Sequence, residues 1–203
     1  MTEILRGQAA NVITVIRILL TYWMNRIIWS SGEEISFYLL FVFAVVIGAT
    51  DWLDGKVARW LNIESEIGGH LDKLADKYYA CSLFIYFLQK EIFSWNFDQI
   101  TLSLINILIK AILINEAFLI VMWIIGFFKK MDTSPSEYGR WKMTFQFVAI
   151  AWLFAIKWLE VQGVNILLPT YLGLITLLVL AAVCGIIGSI NYFQRYINGG
   201  KEA

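Results

Sequence analysis

Long apolar stretches separated by short polar segments fill most of the chain from residue 12 onward. Each stretch approaches or exceeds the roughly 17–25 mostly apolar residues that a helix needs to cross a bilayer. We therefore predict an all-α integral membrane protein with six spanning helices. The predicted spans are residues 12–28, 35–53, 71–89, 100–128, 143–159 and 166–193. Residues 2–10 are a candidate for a short N-terminal interfacial helix.

The basic residues of the predicted loops are unevenly shared between the two sides of the membrane. Nine Lys and Arg residues fall on the side that holds both termini, and three fall on the other side. Cytoplasmic loops of membrane proteins carry an excess of Lys and Arg. Both termini are therefore predicted to be cytoplasmic. Because the sequence shows no tandem repeat, low-complexity tract or linker, residues 1–203 are expected to form a single domain.

Composition supports the membrane interpretation and excludes several other classes. Apolar residues make up 59% of the chain, against roughly 45–50% in ordinary soluble domains. Charged residues make up 16%, and the 16 basic and 16 acidic side chains give no net charge. A disordered chain, a nucleic-acid-binding protein led by basic charge and a disulfide-stapled secreted module are all excluded.

Two pairs of aspartates bracket the short connection between the second and third predicted spans. Asp51 and Asp54 are three residues apart, and Asp72 and Asp76 are four apart. Both spacings place the two side chains on one face of a helix. Since a short connection makes consecutive helices antiparallel neighbours, all four carboxylates are predicted to meet near the cytoplasmic end of the helix pair.

Four carboxylates in one place repel one another unless they are protonated or neutralised by cations. Mg²⁺ and Mn²⁺ prefer oxygen ligands, and four carboxylates can hold two such ions. Two metals a few Å apart suit phosphoryl-type displacement. Gly55 and Ala58 leave room for a flat ligand near the backbone, and Arg59 adds a cation suited to phosphate.

Two interpretations without this chemistry are also open at this stage. The aspartates could be part of a solvated, charged loop, although Asp72 and Asp76 begin an apolar span. Ionisable residues inside a membrane bundle could also serve an ion-coupled transporter. That class predicts broken helices at mid-membrane, whereas these aspartates lie toward one face.

The spacing of these residues resembles the signature of the CDP-alcohol phosphotransferase family. The matching positions are Asp51, Asp54-Gly55, Ala58-Arg59, Gly68, Asp72 and Asp76. The six-span organisation of the whole chain is also similar to that family. The resemblance implies an enzyme that transfers the phosphatidyl group of CDP-diacylglycerol to an alcohol and releases CMP.

The resemblance also implies roles for individual residues. Asp51, Asp54, Asp72 and Asp76 would hold two Mg²⁺ or Mn²⁺ ions, and Asp76 would be the general base. The residues implied at the nucleotide are Thr14, Asp54, Gly55, Ala58, Arg59 and Gly68.

Three further segments resemble the phosphatidylglycerophosphate synthase branch and favour glycerol 3-phosphate as the acceptor. They contain Asn11, Thr14 and Arg17 in the first span, Gly69 to Lys77 in the third, and Gly139 to Gln146 at the fifth. In that branch the fourth span carries an Arg-Glu pair and a further Arg, whereas this chain has Asn115-Glu116 and no arginine. A phosphate group needs cationic partners in a partly desolvated pocket. The candidates here are Arg17, Lys110, Arg140 and Lys142.

Other acceptors within the family are the alternatives to glycerol 3-phosphate. They are inositol phosphate, serine, a choline or ethanolamine head group, and phosphatidylglycerol. The family's habit of forming homodimers implies a second copy as a partner, and membrane lipid surrounds the chain. A bacterial inner membrane with a cytoplasm-facing site fits the size and the predicted orientation.

Overall fold

The computed structural model describes residues 2–30, 36–61, 66–89, 99–129 and 136–197, with the side chains of all but 2–11, 52–61 and 66–67. Within these ranges the chain forms six α-helices and no strand, which confirms the prediction of an all-α protein. The helices are α1 (Thr2–Ser30), α2 (Phe37–Leu61), α3 (Glu66–Gln89), α4 (Gln99–Phe128), α5 (Glu137–Val161) and α6 (Leu168–Ile197).

Four of these helices are long and apolar enough to cross a membrane. They are α1 from Val12 to Ser30 and the whole of α4, α5 and α6. A shorter apolar segment, Phe37–Asp51, forms the first part of α2.

Helices α1 and α2 extend furthest beyond the spans predicted for them. The backbone of α1 is continuous from Thr2, so residues 2–10 are helical but are not a separate element. Helix α2 continues past the predicted end at residue 53 to Leu61. A span prediction stops where side chains become polar, but backbone hydrogen bonds can continue beyond that point in the absence of proline. The part of the signature that runs from Asp54 to Arg59 therefore lies on helix α2.

The chain divides into two compact units. Unit one comprises Met1–Leu83 and Ile150–Ile166, and unit two comprises Phe84–Ala149 and Leu167–Ala203. In unit one, α1 packs against α2, and the Trp158 ring lies 5.2 Å from the ring of Tyr38 at the start of α2. In unit two, α4 packs against α6.

The end of α5 is fixed by a left-handed glycine in unit one. Gly163 has a φ of 76°, a conformation that is strained for residues with a Cβ. The Gly163 N–H donates to the Glu160 carbonyl at 3.0 Å, and the Val164 N–H donates to the Leu159 carbonyl at 3.1 Å. This pair of bonds is the Schellman arrangement, which satisfies the last carbonyls of a helix and turns the chain away.

Candidate active site

A stripe of polar side chains runs along the buried face of α1 in unit one. Arg17, Thr21 and Asn25 recur every four residues, and all three are buried. The Thr21 hydroxyl donates to the Arg17 carbonyl at 2.9 Å, and the Asn25 amide donates to Ser82 Oγ on α3 at 3.0 Å. The register of these contacts makes α1 and α3 parallel neighbours and directs Arg17 toward the start of α3.

Three of the four predicted aspartates meet at that point. Asp51 comes from α2, and Asp72 and Asp76 come from successive turns of α3. One carboxylate oxygen from each lies within 4.8 Å of the other two. The fourth, Asp54, lies on α2 at a position whose side chain is outside the described residues. We call Asp51, Asp72 and Asp76 the carboxylate cluster.

Arg17 contacts every member of the carboxylate cluster. Its Nη1 donates a hydrogen bond to Asp51 Oδ1, and its Nη2 donates to Asp72 Oδ1. The same Nη2 lies 3.4 Å from Asp76 Oδ1. One guanidinium therefore lies between two helices and neutralises part of the charge of three carboxylates.

The exposure of these side chains differs sharply across the cluster. The Arg17 side chain is 1% exposed, whereas those of Asp51, Asp72 and Asp76 are 28%, 47% and 17% exposed. The cation is thus on the closed side and the carboxylates face the open side. Among the contacts that the structure describes, three acids thus share one guanidinium, and all three are partly exposed.

The other residues predicted to contact the nucleotide flank this cluster along the chain. Thr14 is buried on α1, three residues before Arg17, and Gly68 lies on α3 one turn before Asp72. Gly55, Ala58 and Arg59 lie on the last turns of α2. Their side chains are outside the described residues, so the structure gives only their place on the helix.

Unit two contains a second buried charged group, formed by Glu116 on α4 and Lys142 on α5. Lys142 Nζ lies 2.6 Å from Glu116 Oε1, and the Gln146 amide donates to the same oxygen at 2.8 Å. Glu116 is fully buried, and Lys142 and Gln146 are 4% and 1% exposed. We call Glu116 and Lys142 the lysine–glutamate pair. Its single negative charge is matched by a single positive charge.

A glycine on α6 makes room for this pair. A Cβ built at Gly185 would lie 2.6 Å from Asn115 Nδ2 and 3.3 Å from Lys142 Cδ. Asn115 in turn accepts a hydrogen bond from Ser189 Oγ at 2.6 Å, which links α4 to α6. Gly185 therefore allows Asn115 and Lys142 to occupy their observed positions.

The four cations predicted to bind the acceptor are in different environments. Arg17 is held by the carboxylate cluster, and Lys142 is held by Glu116. Arg140 is more than half exposed and lies 3.8 Å from Glu137, and Lys110 is exposed on α4. Lys110 and Arg140 thus present their charge outward, whereas Arg17 is engaged with partly exposed aspartates and Lys142 with the buried Glu116.

A family model described as CDP-alcohol phosphatidyltransferase matches residues 8–187, which is most of the chain. The chain belongs to the CDP-alcohol phosphatidyltransferase family. Membership makes it a transferase of phospholipid biosynthesis and a multi-pass membrane protein. It also favours the enzyme over the ion-coupled transporter that the sequence left open.

Several relatives of this CDP-alcohol phosphatidyltransferase carry the name CDP-diacylglycerol–glycerol-3-phosphate 3-phosphatidyltransferase. One from Salmonella choleraesuis (strain SC-B67) is 30% identical over 138 residues, covering 63% of this chain and 72% of the relative. One from Haemophilus influenzae is 26% identical over 182 residues, covering 90% and 89%. One from Escherichia coli (strain K12) is 26% identical over 156 residues, covering 76% and 81%.

The carboxylate cluster of this CDP-alcohol phosphatidyltransferase has the donor set that a hard divalent cation requires. Its three ligand atoms are carboxylate oxygens that lie within 4.8 Å of one another, on side chains that are all partly exposed. Mg²⁺ and Mn²⁺ both take such ligands. The residues therefore fit a divalent metal site, while the donor set alone does not select one of the two metals.

Two arrangements at the site were not predicted from the sequence. Arg17 was considered as a ligand for substrate phosphate, but the structure shows it bound to three aspartates. The pairing of Lys142 with Glu116 was also missed, and Gln146 with it. A signal was present, since opposite charges on separate apolar spans need partners inside the bundle.

Proposed function

We propose that this protein transfers the phosphatidyl group of CDP-diacylglycerol to the primary hydroxyl of glycerol 3-phosphate, giving phosphatidylglycerophosphate and CMP. The observation that carries the proposal is the convergence of Asp51, Asp72 and Asp76 within 4.8 Å, in a chain that belongs to the CDP-alcohol phosphatidyltransferase family. The names of the relatives and the motifs around Thr14, Arg17 and Gln146 support the choice of acceptor.

In the proposed reaction, the carboxylate cluster together with Asp54 would hold two divalent metal ions. When bound, these ions supply electrostatic stabilisation of the phosphorus centre and of the departing CMP. The oxygen of the acceptor hydroxyl bonds to the phosphatidyl phosphorus, and Asp76 accepts the proton that this hydroxyl loses. The bond from that phosphorus to the bridging oxygen of CMP breaks, so one phosphoester forms as one phosphoanhydride is lost.

The remaining site residues receive roles by position. Thr14, Gly55, Ala58, Arg59 and Gly68 are proposed to contact the nucleotide. They lie on helices that carry the aspartates or Arg17.

The acceptor phosphate needs a cation whose charge is not already committed. Arg140 and Lys110 have exposed charges, whereas Lys142 is engaged by Glu116. We assign the main contact to Arg140, because a guanidinium can hold a phosphate with two parallel hydrogen bonds. Lys110, Lys142 and Arg17 are proposed as secondary contributors.

The proposal extends to topology and assembly. All six helices are proposed to cross or enter a bacterial inner membrane, with both termini and the site on the cytoplasmic side. The excess of basic residues in the corresponding loops supports this orientation. Residues 1–203 are proposed to act as one domain, and a homodimer is the proposed assembly.

The test is CMP release by the purified protein in detergent with CDP-diacylglycerol, Mg²⁺ or Mn²⁺, and a panel of radiolabelled acceptors. Glycerol 3-phosphate is expected to give the highest kcat/KM, and EDTA is expected to abolish release. Faster transfer to inositol phosphate, serine, choline, ethanolamine or phosphatidylglycerol would overturn the assignment of glycerol 3-phosphate as the acceptor. Folded protein that releases no CMP with any acceptor would overturn the reaction.

A further inference from the structure

Arg17 is the most deeply buried charged side chain at the site, and its contacts go to the residues proposed to hold metal. The side chain is 1% exposed, and its two terminal nitrogens reach carboxylate oxygens of Asp51, Asp72 and Asp76. Its backbone carbonyl is anchored by Thr21. The guanidinium is therefore a cation that the protein itself supplies to the carboxylate cluster.

The carboxylates held by Arg17 are also the carboxylates whose oxygens converge as a divalent metal site requires. A guanidinium and a metal ion at the same carboxylates repel each other, because both are cations. A divalent ion carries more charge than a guanidinium, so the same acids attract it more strongly. Attraction and competition therefore act at the same three side chains.

We propose that Arg17 is an internal counter-cation that competes with divalent metal for the carboxylate cluster. It keeps Asp51, Asp72 and Asp76 gathered before metal enters, and it gives up Asp51 and Asp72 as metal is bound. The released guanidinium is then free to pair with a phosphate oxygen of an incoming substrate. This inference rests on the proposed function, because it takes the carboxylate cluster as the metal site.

Competition between Arg17 and the metal predicts the direction in which the metal affinity of an Arg17 variant changes. Removing the guanidinium should raise the affinity of the cluster for metal, whereas a residue that only holds the fold would lower the affinity or leave it unchanged. The same removal should lower the thermal stability of EDTA-treated protein, because the acids then lose a buried cation that bonds to Asp51 and Asp72.

The experiment measures Mn²⁺ binding to purified full-length protein in detergent without nucleotide, by electron paramagnetic resonance of the free ion. Arg17→Gln is expected to bind Mn²⁺ about tenfold more tightly, the scale of one or two charge-assisted hydrogen bonds given up. Arg17→Lys keeps the charge, so its affinity for Mn²⁺ should lie between those of the wild type and Arg17→Gln. Arg26→Gln, an exposed arginine on the same helix, is the matched control and should bind as the wild type does. Unchanged or weaker Mn²⁺ binding by folded Arg17→Gln overturns the proposal.

A measurement on the wild type covers the case in which Arg17→Gln does not fold. Phenylglyoxal modification of Arg17, read by peptide mass spectrometry, should be slow in EDTA and severalfold faster with Mn²⁺. The peptide containing Arg26 serves as the internal reference. If the rate of modification at Arg17 is the same in EDTA and with Mn²⁺, the proposal is overturned.

CMP release by the same preparations separates this inference from the proposed function. A wild type that binds Mn²⁺ and releases CMP, with Arg17→Gln unchanged in Mn²⁺ affinity, rejects only the role of Arg17. A wild type whose bound Mn²⁺ competes with Arg17 but which releases no CMP rejects the proposed function and keeps the competition.

Discussion

The carboxylate cluster of unit one and the lysine–glutamate pair of unit two both place charge among apolar helices, yet their charges add up differently. In the cluster, one guanidinium faces three carboxylates that are 17–47% exposed. In the pair, one ammonium faces one carboxylate, and both side chains are at least nine-tenths buried. Gln146 adds a neutral hydrogen bond and no charge.

This difference suggests different uses for the two groups. A balanced, buried ion pair needs no further ion, and removing one partner leaves the other charge uncompensated. An acidic group with too few cations remains attractive to metals and stays accessible to them. We therefore regard the pair as a structural contact between α4 and α5 and the cluster as the reactive site.

The strongest challenge to this comparison is to remove one acid from the cluster. Asp76→Asn keeps the shape of the side chain but removes a metal ligand and the proposed base. CMP release is expected to fall by about 10²–10⁴-fold, the usual contribution of a general base. The unfolding midpoint in EDTA should not fall, because removing one carboxylate charge weakens the repulsion among the three acids as well as the attraction to Arg17.

Arg26→Gln is the control for that experiment, since the Arg26 side chain is exposed on α1 and lies outside the cluster. Its CMP release should equal that of the wild type. Full activity of Asp76→Asn would contradict the assignment of Asp76 as the base, and a lower midpoint in EDTA would contradict the surplus of negative charge.

The converse experiment removes the acid of the lysine–glutamate pair. Glu116→Gln leaves the Lys142 ammonium buried without its counter-ion, so the unfolding free energy in detergent should fall by about 3–5 kcal/mol. Combining it with Lys142→Met should recover much of that loss, because no uncompensated charge remains. If the single variant were as stable as the wild type, the pair would not be the structural contact described here.

A smaller effect is expected where α6 approaches the pair. In Gly185→Ala the new methyl would meet Asn115 Nδ2 at 2.6 Å, so the amide must move and strain its contact with Ser189. Overpacking of this kind costs about 1–3 kcal/mol of unfolding free energy.

Gly69→Ala is the matched control, because a Cβ at Gly69 would meet no atom within 4 Å. Replacing a helical glycine with alanine there should leave the stability unchanged or raise it by up to about 1 kcal/mol. Equal stability of the two alanine variants would show that α6 can yield at Gly185 without cost.

The smallest effect on stability is expected at Arg140. Its contact with Glu137 is exposed and 3.8 Å long, so Arg140→Gln should change the unfolding free energy by less than about 0.5 kcal/mol. The KM for glycerol 3-phosphate should nevertheless rise about tenfold, since a charged hydrogen bond is lost. Arg26→Gln should change neither quantity. An unaltered KM in Arg140→Gln would move the acceptor contact to another cation.

The sequence predicted those features that depend on local periodicity. The three- and four-residue spacing of the aspartates placed their side chains on shared helix faces, and the structure brings Asp51, Asp72 and Asp76 together as expected. The apolar runs located the helices, although the ends of α1 and α2 differed, because hydropathy follows side chains and helical hydrogen bonds follow the backbone.

The partners of the isolated charges could not be predicted in the same way. Arg17 is 34 residues from Asp51, and Lys142 is 26 residues from Glu116. Which helix faces meet depends on packing across the bundle, and no local spacing encodes it. The charges on apolar spans indicated that partners exist, but their identity came only from the contacts of α1 with α2 and α3 and from the ion pair between α4 and α5.

The 26 positions between Glu116 and Lys142 also have a consequence for biogenesis. A charged side chain at the centre of an inserting helix costs about 2.5–3.5 kcal/mol. Ribosomes make about 5–20 residues per second, so the acid of α4 is synthesised about 1–5 s before the lysine of α5. Helix α4 therefore leaves the ribosome ahead of its counter-charge. Closure of the ion pair is a late event that follows the arrival of α5 from the ribosome.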